Sequence, residues 1–325
     1  MFPSDILLSV YTYLNNPFRL QRVSKQFKES ISNYKNYIAY CILKRLGFNS
    51  TVSESYRMYK NYVSKHDIRN INYDLESVIK RNCIEVVELL LTDKRIDPSI
   101  NDNHAIKWAS RKGYAKVVKM LLADPRVDPS VYMNYAIRMA SEHGHTETVK
   151  LLLADPRIDP SVYMNYAIRM ASENGHTEVV RLLLADKRVD PSINTNYAIG
   201  LASQNGRTGV VRLLLADKRI DPSADNNYAI RIASKNGHTE VVKLLLEDKR
   251  VDPSADNNYA IKLASIEGHT EIVRLLLTDS IVNPSDIRVI RIASEKGHTE
   301  IVRLLLADPR VDPAKVIRTL LGLYY

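Results

Sequence analysis

Glycine is scarce in this chain. The 325 residues hold 11, about half the usual share. Gly-rich phosphate cradles and folds built from tight β-hairpins both need more. Cysteine is scarcer still, with only Cys41 and Cys83 and no Cys-x-x-Cys pair, which excludes a disulfide scaffold. No apolar run approaches the ~18 residues that a membrane span requires. The opening stretch MFPSDILLSVYTYL has no basic region followed by an apolar one, so it is not a secretory signal. No nucleophile elbow and no His-Glu-x-x-His is present. The expectation is a soluble, intracellular, reduced protein of cytoplasm or nucleus. It is expected to be no enzyme, with no cofactor, no metal and no membrane contact.

Charge is plentiful but uneven. The net charge is +9, and residues 1–70 carry 11 Lys+Arg against 4 Asp+Glu. Most of the basic excess therefore belongs to the first fifth of the chain. It is scattered among apolar residues rather than clustered, so nucleic acid is not the expected partner.

What the sequence has in abundance is self-similarity. Gly113, Gly144, Gly175, Gly206, Gly237 and Gly268 stand 31 residues apart, and Gly297 follows after 29. A weaker first copy carries Asn82 at the glycine position. Eight copies thus span about residues 72–313, with a two-residue deletion between Pro284 and Gly297. In the unit NYAIRMASENGHTEVVRLLLADKRVDPSI (165–193), the apolar spacing of Ile168, Met170 and Ala171 predicts a helix. Asn165, ten residues before the glycine, reads as its N-cap, and Gly175 stops it. Thr177 reads as the cap of a second helix over VVRLLLA, with Glu178 near the positive end of its dipole. Asp190-Pro191 ends the unit, since proline cannot continue a helix. Helices this short bury their faces only against the next copy. The fold class is all-α: a helix-turn-helix solenoid of about eight 31-residue repeats over residues 71–313, with a capping helix over 314–325.

The stretches ASENGHTEVVRLLL (171–184), ASKNGHTEVVKLLL (233–246), ASIEGHTEIVRLLL (264–277) and ASEKGHTEIVRLLL (293–306) resemble the ankyrin repeat. The resemblance covers about three quarters of the chain. It departs from the family in its period of 31 rather than 33, in YAIR or YAIK where Thr-Pro-Leu-His is usual, and in its missing loop glycines. This short-period variety is similar to ankyrin arrays of large DNA viruses of amoebae. The resemblance implies a non-enzymatic module that binds a protein. It also implies that the histidine of GHTE, at His145, His176, His238, His269 and His298, fixes the interhelical turn by hydrogen bonding. The cluster EHGHTE (142–147) is then a joint rather than a metal site.

Residues 1–70 lie outside the repeat register. FPSDILLSVYTYLNNPFRLQRVSKQFKESI (2–31) resembles an F-box, although its interval from Leu14 to Val23 is about two residues short. The resemblance implies a small helical domain that docks on the adaptor subunit of a cullin-type ubiquitin ligase through Pro3, Ile6, Leu7, Leu20 and Val23. The alternative is a helical cap over the first repeat, because an array needs its exposed end shielded.

Stacked copies turn each position into a column. Tyrosines recur at 73, 135, 166, 197, 228 and 259, where inter-repeat packing is the expected role. One basic column includes Arg138, Arg169 and Arg231. A second, in the loops, includes Arg126, Arg157, Arg188, Arg219 and Arg250, each two residues after an aspartate. Ankyrin proteins usually meet partners through loops and first helices. The two columns, with the single tryptophan Trp108, are therefore the expected target-binding face, and an acidic protein is the expected target. One copy departs from the rest. YAIGLASQNGRTGVV (197–211) places Gly200 and Gly209 inside helices, at about 1 kcal/mol each relative to alanine. Relaxed drift, a hinge or a partner-specific patch would each account for it.

Overall fold

The computed structural model describes residues 75–320, except 77, 81, 83, 93 and 95. The F-box-like segment with Pro3, Ile6, Leu7, Leu20 and Val23 lies outside the described residues. Among those residues there are sixteen delimited helices and no strand.

The residues fall into two compact units. In the first, α1 (Ile84–Leu91), the opening of α2 (Ile100–Lys112) and α3 (Ala115–Leu122) pack around Leu75, Ile79, Val87, Leu90, Ile106 and Leu121, all buried. The second holds residues 110–115 and 129 onward. Its first helices are α4 (Val131–Glu142), α6 (Val162–Asn174), α8 (Ile193–Gln204), α10 (Ala224–Lys235), α12 (Ala255–Glu267) and α14 (Ile287–Glu295). These form one layer, each packed on the next. The second helices form the other layer: α5 (Thr146–Leu153), α7 (Thr177–Ala185), α9 (Thr208–Ala216), α11 (Thr239–Leu246), α13 (Thr270–Leu277) and α15 (Thr299–Ala307). A last helix, α16 (Pro313–Leu320), contacts α14 and buries Val316.

The core is the same set of side chains repeated. Ala167, Ile168 and Ala171 of α6 and Val179, Val180 and Leu183 of α7 are buried, as are their counterparts in neighbouring copies. Each buried Ile, Val or Leu contributes ~1.5–3 kcal/mol. The two small alanines on the inner face let adjacent first helices approach. Gly175 closes α6 in the left-handed conformation at φ 83, as expected from its place in the repeat.

Two expected caps are corrected. Asn134 and its counterparts do not cap the first turn. They end a three-residue left-handed turn, at 132–134, 163–165, 194–196, 225–227 and 256–258, with φ between 52 and 61. The side chain then points away from its own helix. Asn134 Oδ1 accepts from the Asp159 amide (3.0 Å), Asn196 from Asp221 (2.9 Å) and Asn227 from Asp252 (2.7 Å), in the loop of the same copy that follows the second helix. Asn165 instead donates to the Asp190 carbonyl at 3.0 Å. Asparagine tolerates the left-handed region better than most residues. Thr177 likewise makes no cap bond to its own first turn. The helix begins at Thr177, and the preceding residue is His176, whose side chain is engaged elsewhere.

The two-residue deletion has a structural consequence. It removes the left-handed turn before α14, and Asp286 then caps that helix conventionally, accepting from the Arg288 amide at 3.0 Å.

Candidate binding face

Repeated staples hold the second unit in register, and the face rests on them. His176 Nε2 lies 3.0 Å from the Glu142 carbonyl of the preceding copy. A carbonyl only accepts, so the nitrogen carries the proton. His145, His238, His269 and His298 reach Arg111, Gln204, Lys235 and Ile266 in the same way. Arg207, which replaces histidine in the divergent copy, does the same job: its Nε donates to the Glu173 carbonyl at 2.9 Å. The histidine therefore ties one copy to the one before it, rather than only fixing its own turn.

The loop arginines form a second staple. Arg188 grips Asp186 with Nε and Nη2, at 2.9 and 2.6 Å. It also donates to the Ile158 carbonyl (2.6 Å) and the Leu153 carbonyl (3.0 Å) of the preceding copy. Arg219 and Arg250 repeat this on Val189 and Leu184, and on Ile220 and Leu215. Arg157 is paired with Asp155 at 2.6 Å, and within the first unit Arg126 grips Asp124 and reaches the Ile96 carbonyl. These hydrogen bonds hold the carboxyls of Asp124, Asp155, Asp186, Asp217 and Asp248 below the ordinary range. Four donors of Arg188 are thus committed to its own chain.

The arginines of the first helices are placed differently. Arg138, on α4, donates to the carbonyls of Met133 and Tyr132, both at 2.9 Å. The left-handed turn leaves those carbonyls outside the helical ladder, and the guanidinium satisfies them. It also lies over the rings of Tyr163 and Tyr166, at 5.3 and 5.1 Å, a cation–π arrangement. Arg169 lies over Tyr197 at 5.4 Å and donates to the Met164 carbonyl at 3.3 Å. Arg231 lies over Tyr259 at 5.6 Å, donates to the Asp225 carbonyl, and is ion-paired with Asp256 at 2.8 Å. Lys262 is paired with Asp286 at 3.1 Å.

The first residue of the next left-handed turn decides the character of each site. Where it is Asp256, the Arg231 charge is neutralised. Where it is Tyr163, the Arg138 charge is kept and an aromatic ring is presented. Arg138 and Arg169 have no carboxylate partner among the described residues. Beside them stand the most exposed of the large apolar side chains among the described residues: Tyr132 and Tyr163, each 58% exposed, and Met133 and Met164, each 63% exposed. Tyr166 is half-buried under this patch. Burial, then its hydrogen bond to Glu142 at 2.7 Å, pushes its hydroxyl up to about 12.

Arg138, Arg169 and Arg231, expected in one column, hold equivalent places on the first helices α4, α6 and α10. Tyr132, Met133, Tyr163 and Met164 are not among the residues expected there. The available signal was the stretch VYMNYAIRMASE, which occurs identically at 131–142 and 162–173 while other copies vary. Trp108 lies in the first unit, half-buried beside His104 (6.1 Å) with Lys80 over its ring at 5.7 Å. Among the described residues no three His, Cys, Asp or Glu side chains converge as a metal site would require, and no helix is long and apolar enough to cross a membrane.

Residues 137–226, 199–286 and 230–316 each match the family of ankyrin repeats, and together they cover more than half of the chain. The chain belongs to the ankyrin-repeat family. Ankyrin repeats are a protein–protein interaction module, and the first helices and their preceding turns are the elements that this ankyrin array equips with exposed aromatic and cationic groups. A comparison with curated proteins finds no match to this ankyrin chain.

Proposed function

We propose that the ankyrin array binds a protein through the face formed by the left-handed turns and first helices of α4 and α6. One observation carries the reading: two identical turns expose Tyr132, Met133, Tyr163 and Met164 around Arg138 and Arg169, cations without a carboxylate partner among the described residues. Exposed Tyr, Met and Arg together make the composition of a binding hot spot. A partner that fits presents apolar side chains flanked by acidic ones. Arg231 continues this column, while Arg126, Arg157, Arg188, Arg219 and Arg250 serve the face by fixing its loops. Trp108 is assigned to the same binding role within the first unit.

The test is affinity capture with the full chain. Proteins retained by the parent and lost with Tyr163→Ser plus Met164→Ser, yet kept by Arg181→Glu on a second helix, support the face. Identical capture by all three chains sinks it.

A finer reading adds ubiquitin-ligase recruitment through the F-box-like residues 2–31. Its support is the sequence pattern around Pro3, Ile6, Leu7, Leu20 and Val23. Recovery of the cullin adaptor subunit with the full chain, abolished by Leu7→Asp with Leu20→Asp, is the expected result. Failure to recover it, where a known F-box succeeds, leaves residues 1–70 as a cap.

A further inference from the structure

The divergent copy carries a slot whose shape is given by its neighbours. Around Arg231 the chain shows how this fold holds a guanidinium. The Asp225 carbonyl, six residues earlier, accepts from Nη2 at 2.9 Å. The Asp256 carboxylate, 25 residues later, accepts from Nη1 at 2.8 Å. The Tyr259 ring, 28 residues later, lies 5.6 Å from the guanidinium carbon. Arg138 adds a fourth contact, the carbonyl five residues earlier.

Gly200 stands at the arginine's position and has no side chain, but all four counterparts are there. The turn residues Asn194 and Thr195, the aspartate Asp225 and the ring of Tyr228 line a cavity of about 330 Å³, at the lower end of small-molecule pocket sizes, about 300–1,000 Å³. Pro222 and Ala229 complete its apolar wall. The Tyr228 ring rests against the helix backbone, 3.0 Å from where a Cβ on Gly200 would stand. Its hydroxyl donates to Gln204 at 3.2 Å, which orients the ring. Asp225 is exposed, and its carboxylate has no ion pair among the described residues; the neighbouring cation, Arg231, is paired with Asp256. The Asn194 carbonyl already accepts the Thr195 hydroxyl at 2.7 Å and keeps a second lone pair.

We propose that the Gly200 slot receives an arginine side chain from the bound protein, whose guanidinium takes the place that Arg231 occupies one copy further on. The partner supplies the arginine that this copy lacks. Stacking on Tyr228 and a bond to Asp225 select a planar cation over a neutral group. The inference rests on the binding-face reading and sharpens it. It also explains why the glycine falls on the helix-1 basic column.

The experiment uses the full chain with ring-labelled tyrosine, the Tyr228 signal being assigned by its loss in Tyr228→Phe. Acetyl-arginine amide should shift that signal saturably, and the isosteric acetyl-citrulline amide should not. Gly200→Arg displaces the Tyr228 ring by a few tenths of an ångström, fills the slot with the chain's own side chain and should abolish the response. Its thermal melt, compared with that of the parent, checks that it folds. Asp225→Asn, which leaves the backbone and Tyr228 in place, should weaken binding about tenfold. No saturable shift, an equal response to citrulline amide, or a response that survives Gly200→Arg overturns the proposal. The titration needs no protein partner, so a chain that binds arginine amide yet loses no captured protein with the Tyr163 and Met164 substitutions would sink the face and leave the slot standing.

Discussion

The imidazole of His176 is wedged between two parts of the preceding copy: its Nε2 donates to the Glu142 carbonyl, and its Nδ1 lies 2.5 Å from where a Cβ on Gly144 would stand. Gly144 has φ 74, so glycine is required there both for backbone conformation and for ring clearance. His176→Ala should cost about 1 kcal/mol, a typical net hydrogen bond. Gly144→Ala should cost more, from backbone strain of about 1–2 kcal/mol and the collision together. The double variant should cost less than the sum, because the ring is gone. Denaturant melts of the four chains give the coupling. Strict additivity would mean that the ring does not set the clearance.

Acid should weaken the array. The arginine hydrogen bonds hold Asp155, Asp186, Asp217, Asp248 and Asp308 below the ordinary 3.8, and Asp286 is lowered to about 2 by Arg288 and then Lys262. The folded values lie under the unfolded ones. Their contribution is therefore complete above about pH 4 and is lost as pH falls through the folded values. His145, held down by burial from 6.5, adds a loss in the same direction, beginning as pH falls below its unfolded value. Thermal melts across this range should show stability falling with acid. Arg188→Gln should flatten the part of that slope below pH ~4.

Asn196 provides a sharper test of the corrected cap. Its Oδ1 accepts the Asp221 amide at 2.9 Å, and the residue is buried. Asn196→Ala leaves the Asp221 amide without this partner and should cost about 1 kcal/mol. Asn196→Asp keeps the acceptor and should cost less. A cap of α8 would be rescued by serine; this contact would not, because serine is too short to reach the loop. Melts of the three variants separate the two roles.

Met164 sits in the left-handed region at φ 55 and is exposed. Met164→Gly should raise stability by a few tenths up to about 1 kcal/mol, as relief of strain outweighs the entropy of the unfolded chain. The same change should weaken capture of the protein partner. A variant both more stable and equally good at binding would remove the turn from the face.

Ser203 is fully buried, and among the described residues no side chain or backbone group pairs with its hydroxyl. Ser203→Ala removes that unpaired group and should be neutral or stabilising by about 1 kcal/mol. A clear loss in the melting temperature would show that the hydroxyl has a partner in solution.

Much of this molecule was legible because a repeat states each rule several times. Gly175 as a helix stop and Val180 and Leu183 as core follow from local spacing. The partners of His176 and Arg188 were not legible. Their acceptors are backbone carbonyls 34, 30 and 35 residues away, and a carbonyl leaves no mark on composition. Asn165 misled for a related reason. Its place before a helix fits a cap, yet the left-handed turn swings the side chain to the loop that follows.

The sequence by itself determined the period, the helix pairs, the glycine joints and the basic and tyrosine columns, because these depend on residue type at fixed spacing. Tertiary structure alone decided which arginines are consumed within the chain and which remain presented. The loop arginines reach back to the preceding copy, whereas Arg138 meets whatever side chain opens the next turn. Gly200 shows the same division. Its sequence reads only as a missing side chain, and packing against Tyr228 and Asp225 turns that lack into a cavity.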